Sequence, residues 1–99
     1  MDALEVIREN LTQEELLAQL AEEAVELAHA ALKLRRVYDG ANPTPVKRSD
    51  AFANLKEEIA DVQLLLRVLE LDRHRMECDR IAEKKLERWV QRLEGRGAE

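Results

Sequence analysis

The sequence is short of the residues that build sheets, turns and covalent staples. Only three of its 99 residues are aromatic, three are glycine and two are proline. That scarcity excludes a turn-rich all-β fold, which needs punctuation at short intervals. Cysteine occurs once, at Cys78, so no intrachain disulfide can form; a reducing compartment and an idle thiol are the simple reading. No apolar run approaches the ~20 residues of a membrane span. Asp2 and Glu5 spoil the basic start of a signal peptide, so a cytoplasmic location is expected. Basic excess is lacking too. The formal net charge is −5, which argues against a nucleic-acid groove binder, because phosphate backbones call for a basic surface.

What is present is helix-forming. Hydrophobic residues make up 45% of the chain and charged residues 37%, a balance for a folded, soluble helical protein rather than a disordered one. Ala, Leu, Glu, Lys and Arg dominate and favour helix. The expected fold is all-α, a short bundle of three to four main helices in one domain over residues 1–99. Such a chain buries only a modest core alone, so association into a homodimer or homotetramer that completes a four-helix core is expected.

Residues 2–9, "DALEVIRE", read as a short helix interrupted at Asn10 and Leu11. Thr12 with Glu15 three residues on forms a capping box. A helix then runs to about Tyr38, with Leu16, Leu20, Ala24, Leu27, Ala28, Ala31 and Leu34 at helical spacing, and Asp39-Gly40 ends it. "DGANPTPVKRSD", residues 39–50, holds both prolines and reads as the one substantial loop. Ser49 or Asp50 is placed to cap the next helix, whose stripe is Leu55, Ile59, Val62, Leu65, Leu66 and Leu69. A turn near residues 72–75 leads to a last helix from about Met76 to Leu93. Its Ile81, Ala82, Leu86, Trp89 and Leu93 are expected to face inward, with residues 94–99 frayed.

Two acidic clusters of similar shape lie beside these stripes: "EEAVE" at 22–26 and "EEIAD" at 57–61. A helix turns ~100° per residue, so Glu26 falls about 60° to one side of Glu23, while Leu20, Leu27 and Leu34 fall within about 60° on the other. Glu58 and Asp61 have the same relation to Leu55, Val62 and Leu69. Each helix thus carries a carboxylate pair at i, i+3 bordering its apolar stripe. If the stripes face each other, four carboxylates converge, and like charges at that range repel unless a cation intervenes. Mg²⁺ takes such oxygen ligands together with substrate phosphates. Solvated acidic faces on ordinary helices are the alternative. Glu22 and Glu57 are rotated about 100° from their neighbours and fit a supporting or surface role. Likewise Lys84, Lys85, Arg88 and Arg92 alternate with Glu83, Glu87 and Glu94, as on any solvated helix.

"EEAVE" followed by "NLKEEIADV" resembles the EExxE…ExxD signature of the MazG-like all-α nucleoside triphosphate pyrophosphohydrolases, and "EKKLERW" resembles that family's late helix with its KxxR pair. The resemblance covers residues ~12–93. It implies Mg²⁺-dependent hydrolysis, with Mn²⁺ as an alternative ion, of a nucleoside triphosphate to the monophosphate and pyrophosphate, an activity suited to clearing the nucleotide pool. It implies Glu23, Glu26, Glu58 and Asp61 as metal ligands. Glu22 or Glu23 would assist a water nucleophile. Asn54, Lys85 and Arg88 would meet the nucleotide, and Lys33, two turns after Glu26, would reach phosphate. Two departures stand out. The interval from Glu26 to Glu58 is long for the family, and Glu83 stands where larger members often carry Asn. A related enzyme, phosphoribosyl-ATP pyrophosphohydrolase, tends to follow its last acidic motif with an aromatic-His pair; here Asp61 is followed by "VQLLL". A helical dimerisation or regulatory module without catalysis is the remaining alternative.

Overall fold

A computed structural model describes residues 2–40 and 46–98, with side chains through residue 95. The described residues are helical almost throughout: α1 (Ala3–Asn10), α2 (Gln13–Asp39), α3 (Arg48–Val68), a 3-10 turn (Leu71–His74) and α4 (Arg75–Ala98). No strand occurs among them, and no helix is long and apolar enough to cross a membrane.

Local chemistry sets the ends. Asp2 accepts a hydrogen bond from the Glu5 N–H at 2.9 Å and caps α1. Thr12 accepts from the Glu15 N–H at 3.1 Å, and its hydroxyl donates to the Glu15 carboxylate at 3.2 Å. Thr12 is thus the N-cap that "TQEE" foretold, with the Glu15 carboxylate bonded to the Thr12 hydroxyl rather than to its backbone N–H as in the full capping box. Gly40 closes α2 in the left-handed region at φ 64°, a conformation free of a Cβ penalty only in glycine. The expected cap of α3 at Ser49 or Asp50 is not what forms. The helix opens two residues earlier at Arg48, and Lys47 precedes it with no side-chain cap. The Arg48 guanidinium instead lies 4.5 Å from the Tyr38 ring centroid, so a cation–π contact ties the start of α3 to the end of α2. Residues 41–45, the middle of the expected loop, lie outside the described residues.

α2 and α3 form an antiparallel hairpin, by far the most extensive packing in the chain. Its buried apolar residues are Leu16, Ala30, Leu34, Ala51, Leu65, Val68 and Leu69. Leu4 and Ile7 of α1 pack on the cluster of Leu16, Leu65, Val68 and Leu69. The expected stripes are thinner than their spacing suggests. Leu16, Leu34, Leu65 and Leu69 are buried, but Ala24, Ala28, Ala31 and Ile59 are exposed. One helix neighbour covers only a narrow sector of a helix, whereas these stripes are wide enough for two.

The corner after α3 is built by charge. Arg8 of α1 donates from Nε to the Val68 carbonyl at 2.8 Å and from Nη2 to the Arg67 carbonyl at 3.0 Å. The Val68 carbonyl lies at the helix end, where backbone acceptors lack helical partners; the Arg67 carbonyl also accepts from the Glu70 N–H at 3.0 Å. The Arg8 Nη1 lies 3.5 Å from the Glu70 carboxylate, which also pairs with Arg73 at 3.3 Å. Glu70 has φ 59°, a left-handed conformation unusual outside glycine.

α4 departs from expectation most. Helix continues to Ala98 rather than ending near Leu93, and packs chiefly on the 3-10 turn. Every described α4 side chain is exposed. Ile81, Ala82, Leu86, Trp89 and Leu93, expected to face a core, face none within the chain; Trp89 is 59% exposed. Their helical spacing is real, but nothing in the same chain lies against it.

Candidate metal centre

The hairpin aligns the two acidic clusters. Glu23 sits mid-way along α2 and Glu58 mid-way along α3, each nearly in phase with its buried residues: Leu16 and Ala30 lie seven positions either side of Glu23, and Ala51 and Leu65 seven either side of Glu58. Both are half-buried, whereas Glu22, Glu26, Glu57 and Asp61 are exposed. One carboxylate oxygen from each of Glu23, Glu58 and Asp61 can be chosen so that all three lie within 4.8 Å of one another. Two helices distant in sequence thus bring three acids to one point.

Electrostatics registers the crowding. The Glu23 carboxyl is held above its ordinary value of 4.5, first by loss of solvent and then by the negative charges of Asp61, Glu58, Glu26 and Glu22. Glu58 is likewise raised, by loss of solvent, then by Asp61, Glu26 and Glu57. Among the described residues no Lys or Arg forms an ion pair with any of the three. Such a cluster leaves negative charge uncompensated. A cation among the three oxygens would relieve it.

The donor set is hard. It offers carboxylate oxygens only, with no imidazole or thiolate among them, and so suits Mg²⁺ or Mn²⁺ better than zinc or copper. Three open carboxylates leave room for waters and for phosphate oxygens, which is how Mg²⁺ is commonly held. The residues present therefore fit a divalent cation.

Of the other expected site residues, Glu26 stands outside the three-oxygen group yet close enough to raise both glutamates. Glu22 is exposed and adds its charge to Glu23. Asn54 is half-buried one turn before Glu58, and Lys33 is half-buried two turns after Glu26. Lys85 and Arg88 lie on α4, exposed, with Trp89, Gln91 and Arg92 around a shallow open groove. The chain does not bring them to the carboxylates. At the start of α3, Arg48 is engaged with Tyr38, and Lys47 before it is exposed.

No family model matches the chain, and neither a curated protein nor a solved structure shows significant similarity to it. The site therefore has to be argued from its own geometry. Ala30, Ala51 and Val68, which complete the hairpin that carries it, were absent from the expected stripes. Ala30 and Ala51 are small enough to let two helices approach closely, and small residues leave little trace in a hydrophobic pattern.

Proposed function

We propose that the chain is a Mg²⁺-dependent nucleoside triphosphate pyrophosphohydrolase of the MazG-like kind. The observation that carries this reading is the convergence of Glu23, Glu58 and Asp61 oxygens within 4.8 Å, from two helices, without a cationic partner. An all-oxygen site of this kind has a natural use in phosphate chemistry. The resemblance of "EEAVE" and "NLKEEIADV" to that family's signature supplies the substrate class.

In this reading Glu23, Glu58 and Asp61, with Glu26 beside them, hold the ion. Bound there, Mg²⁺ offsets phosphate charge and makes water more acidic. Glu23, or Glu22 next to it, accepts the proton of the attacking water; a carboxyl raised above its ordinary value is a better base once ionised. The water oxygen bonds to phosphorus, the bridging P–O bond between the α and β phosphates breaks, and pyrophosphate leaves with the bonding pair. Lys33 and the α4 cations Lys85 and Arg88 offset charge on the leaving group, and Asn54 contacts the nucleotide. No covalent intermediate is required.

The functional unit in this reading is a homodimer or a dimer of dimers. Leu17, Val25 and Leu32 on α2 and Phe52 and Ile59 on α3 are exposed, and a second hairpin against them would complete a four-helix core. The test is a pyrophosphate-release screen over the common ribo- and deoxyribonucleoside triphosphates and modified ones, with Mg²⁺ and with Mn²⁺. Release that is lost on Glu58→Gln supports the reading. No hydrolysis of any triphosphate, with no divalent-cation binding at millimolar levels, rejects it in favour of a non-catalytic helical module.

A further inference from the structure

The chain as it stands is not a finished surface. Its accessible area is 8205 Å², whereas a compact monomer of 11.4 kDa would expose about 5,800 Å². The radius of gyration is 17.9 Å, against about 12.6 Å for a compact chain of this length. The excess of roughly 2,400 Å² per chain is on the scale that obligate dimers bury. Much of it belongs to α4, where Met76, Ile81, Leu86, Trp89, Val90 and Leu93 are all exposed.

α4 is held away from its own hairpin by the corner that precedes it. Arg8 clamps the last carbonyls of α3, and Glu70 is pinned between Arg8 and Arg73. The surface of α4 is divided into sectors. At ~100° per residue, Lys84, Lys85, Arg88 and Arg92 share one flank; Ala82, Leu86, Trp89 and Leu93 fill the next; Glu83, Glu87 and Glu94 lie behind. Charge is divided between regions as well. Residues 13–70 hold eleven acidic and seven basic side chains, whereas residues 75–98 hold five acidic and seven basic. An acidic hairpin and a basic arm on one chain match each other, and the corner keeps them apart within that chain.

We infer that α4 is an exchanged arm, docking along the α2–α3 hairpin of a second copy of this chain with its Lys/Arg flank on the partner's carboxylate side. Two copies related by a two-fold axis would cover each other's arms, since such an interface repeats the same contact twice. Each carboxylate cluster then receives its cations from the other chain, which accounts for Lys85 and Arg88 lying apart from Glu23 and Glu58 in their own. The docking stands without the catalytic reading; only the use of those cations on phosphate rests on it.

A cross-linking experiment tests the docking. Two full-length chains carry Cys78→Ser and one further substitution each, Glu58→Cys in one and Arg88→Cys in the other, with tags of different length. Mixed, refolded together and oxidised, they are expected to give a disulfide-linked heterodimer. A chain carrying both substitutions that closes only an internal disulfide would overturn the exchange, as would a mixture that forms no heterodimer. An activity arm separates the two claims. Chains with Glu58→Gln and with Lys85→Ala/Arg88→Ala, each inactive alone, should recover about a quarter of wild-type pyrophosphate release when mixed, because half the dimers are mixed and each has one complete site. No recovery, where the wild type is active, overturns exchange. If the wild type itself hydrolyses nothing, the catalytic reading falls and the cross-link still decides the docking.

Discussion

The α2–α3 hairpin and α4 are helices with similar apolar spacing and opposite fates. α2 and α3 bury Leu16, Leu34, Leu65 and Leu69 against each other. α4 carries Leu86, Trp89 and Leu93 at the same kind of spacing and buries none of them. Amphipathic periodicity thus says that a helix has a face to cover, and is silent about which chain covers it. The difference also runs through the chemistry. The hairpin brings Glu23, Glu58 and Asp61 together without a cationic partner among the described residues, and α4 gathers Lys84, Lys85, Arg88 and Arg92 on a flank apart from its own glutamates.

The sharpest way to break the comparison is to remove the shared acid. Glu58→Gln should abolish cation-dependent hydrolysis, by on the order of 100-fold or more, since even residues supporting a metal ligand are worth 10–100-fold. Pyrophosphate release reads it. With the ion absent, the same substitution should raise the melting temperature slightly, because it removes a charge that three other acids oppose.

Core deletions come next and should separate the two regions. Leu65→Ala opens a hole in the hairpin and should cost about 2–5 kcal/mol in urea unfolding, at any protein concentration. Leu86→Ala should leave hairpin stability within about 0.5 kcal/mol, as for a surface site, and should instead weaken association measured by light scattering. Equal losses of unfolding free energy from the two would erase the distinction.

Arg8→Ala should cost about 1.5–3 kcal/mol, the range for hydrogen bonds to a charged group, because it leaves the Val68 carbonyl without its guanidinium donor and Glu70 with Arg73 alone. Thr12→Ala, at an exposed cap, should cost about 1 kcal/mol.

The pH response is the smallest effect and has a definite sign. Glu23 and Glu58 are raised above 4.5 in the folded chain, so the native state holds their protons more tightly than the unfolded one. Without a divalent cation, these two groups stabilise the fold as pH falls toward 4.5, and their penalty is complete above the raised values. With Mg²⁺ bound the slope should reverse, because protons then compete with the ion. Thermal melts at several pH values, with Mg²⁺ and with chelator, check the inversion.

Much of this was legible in the sequence, and the reason differs by element. Thr12 with Glu15, and Asp39-Gly40, mark the ends of α2 because caps are local chemistry that survives folding unchanged. Glu23 and Glu58 were legible as a pair because each borders the apolar stripe of its helix in the same phase. The start of α3 was not, since the Arg48–Tyr38 contact that accompanies it joins residues ten apart. Nor was the exposure of Ile81, Leu86 and Trp89, because burial is decided by what lies opposite. The left-handed turn at Glu70 had no signal at all: a glutamate occupies a conformation that sequence patterns reserve for Gly or Asn, with Arg8 from another helix beside it.

The central claim is that the hairpin's carboxylates form a divalent-cation site. Titrating Mg²⁺, and then Mn²⁺, into the wild type and into Glu58→Gln by calorimetry tests it most directly. The account predicts saturable binding to the wild type that is lost in the variant, whose hairpin remains helical by circular dichroism. Absence of binding to the wild type at millimolar concentrations of both ions, or binding that Glu58→Gln leaves unchanged, would contradict it.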